Sequence, residues 1–238
     1  MSDSPTPDRP AQPALPVPAV PGPAAPNPAA SSGIAPLRIG DPAPDFAART
    51  THGAMRLSDY RGRWLVFFSH PADFTPVCTS EFVALARAAE RFAALDCALL
   101  GLSVDSLHAH LAWIEAIRAQ FGAPVPFPVV EDPTMAVGRA FGMLDATARD
   151  SATVRASYFI DPAGIVQAIT WYPMSVGRSV AEMLRLVAAL QRAARGDALT
   201  PEGWQPGANI VLPAVRTAQD AADAGPGWFC RTRPDAAL

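Results

Sequence analysis

Between Trp64 and Val104 the chain alternates apolar runs with one long amphipathic stretch, and this alternation narrows the fold more than any other feature. WLVFF (Trp64 to Phe68) has the density and length of a buried strand. A proline-punctuated loop, Pro71-Ala72-Asp73-Phe74-Thr75-Pro76, follows it. From about Thr79 to Leu95 an alanine-rich stretch predicts a helix, with a single cysteine, Cys78, at its entrance. CALLGLSV (Cys97 to Val104) predicts a second buried strand.

The pattern continues. Asp105 to Phe121 predicts an amphipathic helix with Leu107, Leu111, Ile114 and Ile117 on one face. Phe127 to Val130 predicts a short strand, and Pro133 to Phe141 a short helix with proline at its start. Ser157 to Ile160 and Ile165 to Tyr172 predict two strands joined by DPAG, a turn with Pro and Gly in favoured places. Val180 to Ala194 predicts a helix with Met183, Leu184, Val187 and Leu190 at helical spacing. Upstream, GDPAPDF (Gly40 to Phe46) and MRLSDYRGR (Met55 to Arg63) suit short loops and edge strands. The sum is an α/β class fold with a mixed central sheet flanked by helices.

The two ends differ from this texture. Residues 1–36 hold 11 of the 26 prolines and no aromatic residue, so a disordered or polyproline-like tail is expected. Residues 37–198 carry the alternating pattern. From 199 to 238 the chain is again rich in Pro and Gly, yet it keeps Trp204, Ile210, Val211, Leu212, Trp228 and Phe229. Apolar residues on so loop-like a segment need a surface to cover. The expectation is an arm on the core or on a second subunit.

Several function classes drop out. The net charge of −3 gives no electrostatic case for nucleic acid or anionic membrane. Every basic residue is arginine, which excludes lysine chemistry such as Schiff bases or a P-loop. No apolar run approaches the ~18 residues of a spanning helix, and no uninterrupted apolar core of ~7–15 residues opens the chain as a signal peptide would. Three widely spaced cysteines, Cys78, Cys97 and Cys230, make no disulfide framework. A reducing cytoplasm is the default, and a thiol used for chemistry becomes the better reading.

Cys78 has the setting for it. In the first turn of a helix the backbone N–H groups lack intrahelical partners and the positive end of the dipole points outward, so a thiolate there is stabilised. Pro71 and Pro76 stiffen the loop that places the sulfur. Thr75, three residues earlier, can aim a hydroxyl into the same pocket. Glu81, three residues later, lies one turn along and can orient an arginine. Stabilising a thiolate is not enough for speed. For thiols in general, lowering the pKa from ~8.5 to ~6 gains about 30-fold in thiolate at neutral pH and costs roughly 10-fold in nucleophilicity. A fast thiol enzyme therefore also needs donors aimed at the departing group. Cys97 opens a buried strand and suits a small core hydrophobe. His52, His108 and His110 show no ligand spacing with any cysteine, so no metal is expected.

SHPADFTPVCTSEF resembles the active-site segment of the peroxiredoxins, with Pro71, Thr75 and Cys78 matching the pattern Pro, three residues, Thr, two residues, Cys. Its His-Pro and Pro-Val-Cys-Thr are similar to the one-cysteine subgroup, which includes archaeal thioredoxin peroxidases. The likeness extends through LGLSVDS, FPVVEDP, RASYFIDPAG, WYPMSVGRS and TPEGWQPG, from about Leu37 to Arg233. It implies a thioredoxin-like fold with a C-terminal dimerisation arm. It implies a reaction in which Cys78 attacks a hydroperoxide, releases water or an alcohol and becomes a sulfenic acid, with no cofactor. It implies that Arg155 holds thiolate and peroxide, that Arg178 supports it, and that His70 lines the pocket. GWFC (Gly227 to Cys230) resembles the block whose cysteine resolves a partner subunit's sulfenic acid, although Pro226-Gly227 stands where the family carries a further aromatic. Otherwise an external thiol does this work and Cys230 is a bystander. The partners implied are a hydroperoxide, a thiol reductant (thioredoxin, glutaredoxin or a small thiol) and a second copy in a homodimer, with a ring of dimers open by the same analogy.

Three alternatives carry less. A thioredoxin-like oxidoreductase wants Cys-x-x-Cys, and Cys78-Thr79-Ser80-Glu81 lacks the second thiol. A cysteine hydrolase wants a positioned base, for which His70 is the only nearby candidate. A redox-regulated chaperone or peroxide-signalling scaffold with low turnover remains compatible with the sequence.

Overall fold

The computed structural model describes residues 37–144 and 150–235. The expected tail at 1–36 lies outside the described residues. Seven strands form one sheet in the order β2-β1-β5-β4-β3-β6-β7. They are β1 (Ala47–Thr50), β2 (Gly53–Arg56), β3 (Trp64–Ser69), β4 (Cys97–Ser103), β5 (Val129–Glu131), β6 (Arg155–Ile160) and β7 (Val166–Tyr172). β3, β4 and β5 run parallel to one another, whereas β6 and β7 on one side and β1 and β2 on the other are antiparallel. The sheet is mixed, as the alternating pattern predicts.

All six residues of β3 are buried, because both faces of the sheet are covered. The period of two sends Trp64, Val66 and Phe68 to one face and Leu65 and Phe67 to the other. On the first face they meet α1 (Pro76–Ala94), α2 (Leu107–Phe121) and α4 (Val180–Ala193). On the second they meet Phe141, Met143 and Tyr158, next to the short α3 (Ala136–Ala140). The buried Phe82, Leu85 and Phe92 of α1 each contribute about 1.5–3 kcal/mol by leaving water, enough to hold the helix against the sheet.

Four expectations need correction. α1 starts at Pro76, not near Thr79, because proline at the first helical position gives up no hydrogen bond. The buried face of α2 is His110, Trp113 and Ile117, whereas Leu111 is 41% exposed. The ring of Trp113 fills the space under α1, and a polar residue shares that face because it has buried partners. α3 starts at Ala136 rather than Pro133; Met135 before it takes a left-handed backbone (φ 60°), so Pro133 stays in the turn. β5 begins at Val129, two residues after Phe127.

After α4 the chain folds back on itself. Trp204 and Ile210 are buried against Ala188, Ala189 and Ala198. β8 (Ile210–Val211) pairs with β9 (Thr232–Arg233), with α5 (Ala218–Ala224) between them. The Arg192 side chain, 4% exposed, reaches Asp197 at 2.6 Å and Asp235 at 2.8 Å, and so ties the end of the described chain to α4. Trp228 (40%) and Phe229 (72%) stay exposed. Among the described residues, no helix is long and apolar enough to cross a membrane.

Candidate active site

Sheet register brings the site together. β3 and β6 are antiparallel, with Phe68 opposite Ser157. The first residue of β6, Arg155, therefore sits beside the loop that leaves β3. β7 returns antiparallel to β6, with Tyr172 opposite Arg155, so the residues after β7, through Met174 to Arg178, lie at the same end. α1 begins there too, and its third residue is Cys78.

Cys78 is fully buried. Arg155 Nη1 lies 3.3 Å from its Sγ and donates to Glu81 Oε2 at 2.9 Å. The other face of the Arg155 fork, Nε and Nη2, donates to the Met174 carbonyl at 3.0 and 2.7 Å. Glu81 also accepts from Arg178: its backbone N–H at 2.7 Å, and Nε and Nη2 at 2.9 Å each. Arg178 Nη1 donates to the Ala156 carbonyl (2.8 Å) and to Ser157 Oγ (3.1 Å), and its guanidinium lies 5.2 Å from the centre of the Phe68 ring.

The charges explain the design. Burial raises the energy of the Glu81 carboxylate, but hydrogen bonds and charge from Arg178, with Arg155 behind, outweigh it and hold its pKa below the ordinary value. Two buried guanidiniums face one carboxylate, which leaves one positive charge in excess beside Sγ. Such a site is complementary to an anionic sulfur and to negative charge building on a departing oxygen.

The remaining sequence candidates have these places. Pro71 is buried at the end of β3. Thr75 is the N-cap of α1, but its hydroxyl donates to the Ala72 carbonyl at 2.9 Å, and its own carbonyl accepts from Thr79. His70 is fully buried rather than lining an open pocket. Its Nε2 meets Asp73 Oδ1 at 2.8 Å, its carbonyl accepts from Thr153, and its ring stacks on Trp113 with centroids 5.1 Å apart. Burial, opposed by Asp73, lowers the His70 pKa. Cys97 opens β4, at the end of that strand opposite Ser103, about 20 Å away at ~3.3 Å per residue. Burial pushes its thiol up to about 12, as suits an inert core residue. Cys230 is exposed, in a short 3-10 turn (Trp228–Cys230) entered through Gly227.

Sequence reasoning missed three participants. The Met174 carbonyl clamps Arg155, and nothing in the sequence marks a backbone acceptor. Asp73 and His110 join His70 in a buried cluster. His-x-x-Asp spacing hints at the first pair; the second requires the parallel neighbour β4, which delivers α2 to the same end of the sheet.

Comparison with known proteins agrees with this geometry. The sequence profile of the AhpC/TSA family matches residues 39–169. The peroxiredoxin 2 of Caldanaerobacter subterraneus subsp. tengcongensis is 43% identical over 180 residues, 76% of this chain and 81% of its own. The solved structure of the yeast mitochondrial 1-Cys peroxiredoxin has a TM-score of 0.76 at 34% identity, and the match covers 84% of this chain and 100% of that one. Peroxiredoxin 6 of Arenicola marina also has a TM-score of 0.76, at 29% identity, over 85% of this chain and 100% of its own. The fold is thus the thioredoxin-like fold of these neighbours, and the chain belongs to the AhpC/TSA family as a peroxiredoxin.

Proposed function

We propose that this peroxiredoxin, a thiol-dependent peroxidase, breaks the O–O bond of its substrate at Cys78 Sγ. The observation that carries the reading is the 3.3 Å approach of Arg155 Nη1 to that sulfur, with Glu81 fixing the guanidinium from behind. The thiolate attacks the terminal oxygen of a hydroperoxide. The S–O bond forms as the O–O bond breaks, its electron pair leaves on the second oxygen, and a proton completes water or an alcohol. Cys78 becomes a sulfenic acid. Arg155 donates to the peroxide oxygens while charge moves between them, and Arg178 acts through Glu81. Thr75 contributes its hydroxyl once a peroxide oxygen displaces the Ala72 contact. Pro71 and His70 hold the loop.

A second thiol then takes up the sulfenic acid, and an external thiol reductant reduces the resulting disulfide and restores Cys78. We assign the second thiol first to Cys230 of a second copy, which condenses with the sulfenic acid to a disulfide and water. Its exposure supports that role. Residues 37–198 form the catalytic domain in this reading, and 199–238 the arm that brings two copies together. The uncovered Trp228 and Phe229 support a homodimer. Consumption of hydrogen peroxide under dithiothreitol tests the core of the proposal. Cys78→Ser abolishes it; a variant as fast as its parent refutes the assignment. Non-reducing mass analysis after one equivalent of peroxide tests the second part, with a Cys78–Cys230 link between chains expected and a lone sulfenic acid on Cys78 against it.

A further inference from the structure

Below the loop that leads to Cys78 lies a second constellation, to which the peroxidase reaction assigns no step. His70 and Asp73 come from the loop after β3, and His110 from α2. Their side chains are 0%, 2% and 0% exposed. His70 Nε2 is 2.8 Å from Asp73 Oδ1, and His110 Nδ1 is 2.7 Å from Asp73 Oδ2. One donor atom from each of the three residues falls within 4.8 Å of the others.

The hydrogen-bond roles decide what this cluster can take. His110 Nε2 faces the Val130 carbonyl at 3.2 Å, which can only accept, so that nitrogen carries the hydrogen. A neutral His110 then has a lone pair on Nδ1, aimed at a carboxylate oxygen 2.7 Å away. Two lone pairs do not face each other at that distance without a cation between them. A proton serves when nothing else is there. A histidine whose far nitrogen is tied to a carbonyl is also the usual arrangement of a metal ligand. His70 Nε2 faces the carboxylate and carries the hydrogen when no ion is bound; an ion at Nε2 moves that hydrogen to Nδ1, which is buried without a partner. The surroundings are acidic as well. Asp105 accepts from the Asp73 backbone N–H at 3.0 Å and brings a second carboxylate to the same loop.

We propose that His70, Asp73 and His110 form a binding site for a divalent transition ion of the zinc type. Two imidazole nitrogens and one carboxylate oxygen supply three ligands, and water completes a tetrahedron. Ligand bonds of ~2.0–2.2 Å in a tetrahedron set donor atoms about 3.3–3.6 Å apart. The pair through the coordinating oxygen, now at 2.7 or 2.8 Å, opens by roughly 0.5–0.9 Å as the ion replaces a proton, and the second imidazole nitrogen, within 4.8 Å, closes on the same ion. Ion entry requires the loop to part, so binding is slow. Once bound, the ion joins α2 to the segment that ends at Cys78, five residues beyond Asp73 in the sequence.

The test uses the full chain as Cys78→Ser/Cys230→Ser, which removes the thiol at the active site and the exposed one, after chelator treatment. The probe is Co2+, followed over hours by the visible absorption of a tetrahedral complex and by equilibrium dialysis. One ion per chain is expected, with affinity at least 100-fold weaker in His110→Gln and unchanged in His108→Gln. Imidazole 15N shifts upon Zn2+ addition answer the same question with no histidine altered, should His110→Gln fail to fold. Of the four rings, those of His70 and His110 move. Absence of a one-to-one complex, binding that survives His110→Gln, or shifts confined to His52 and His108 overturns the proposal.

Discussion

Glu81→Gln keeps the shape of the most connected side chain in the site and removes only its charge. In the parent, one carboxylate accepts from Arg155 Nη1 and from three groups of Arg178, all within 2.7–2.9 Å. Each hydrogen bond to a charged group is worth about 1.5–3 kcal/mol, and four would suggest a larger loss than occurs. The guanidiniums keep other acceptors: Met174 for Arg155, and Ala156 and Ser157 for Arg178. What remains is the cost of breaking a buried ion pair, about 3–5 kcal/mol, with an amide N–H2 now facing a guanidinium. At 2–4 °C per kcal/mol for a domain of this size, the melting temperature falls by roughly 6–20 °C. The pH dependence fixes the cause. The folded-state pKa of Glu81 is depressed, so its contribution is complete above the unfolded value of about 4.3 and is lost as pH falls through the folded value. Denaturant unfolding of reduced parent and variant at pH 7 and across pH 5 to 3 measures both. A difference under ~0.5 kcal/mol at pH 7, or one that does not shrink in acid, refutes the charge argument.

Arg155→Met removes the donor nearest the sulfur and lowers kcat/KM for hydrogen peroxide by about 10²–10³, by analogy with loss of one transition-state donor; a change under threefold counts against it. Cys97, with its thiol pushed up to about 12, escapes iodoacetamide in native protein at pH 8 while Cys230 is labelled, as peptide mass mapping shows. Asp235→Asn breaks the tie to Arg192 and speeds tryptic cleavage after Arg231, read from intact mass over time; an unchanged rate means that β8–β9 pairing and the Arg233–Asp197 ion pair hold the arm without it.

The legible part of the site was local. Pro71, Thr75 and Cys78 lie within eight residues, and helix entry after proline is a matter of backbone sterics. Arg155 and Arg178 are reached through resemblance, because nothing near them in the chain points to a thiol 77 residues from the first and 100 from the second. On α2 the helical period marks Leu111 as core, yet it is 41% exposed, whereas Ile117 is buried as expected and His110 and Trp113 find their partners only after folding. Thr75 shows the limit of spacing: position alone does not say that its hydroxyl turns to Ala72.

By itself the sequence determined the order of elements, the two-sided burial of β3 and the entry of a thiol into the first turn of α1. These depend on period, proline and apolar density, which act over a few residues. Tertiary structure alone decided that Glu81 stands between two guanidiniums, that Met174 offers its carbonyl to one of them, and that His110 meets Asp73. The reason is register: strands that are neighbours in the sheet but distant in the chain bring their ends to one edge, and only there do charges too costly to bury singly find each other.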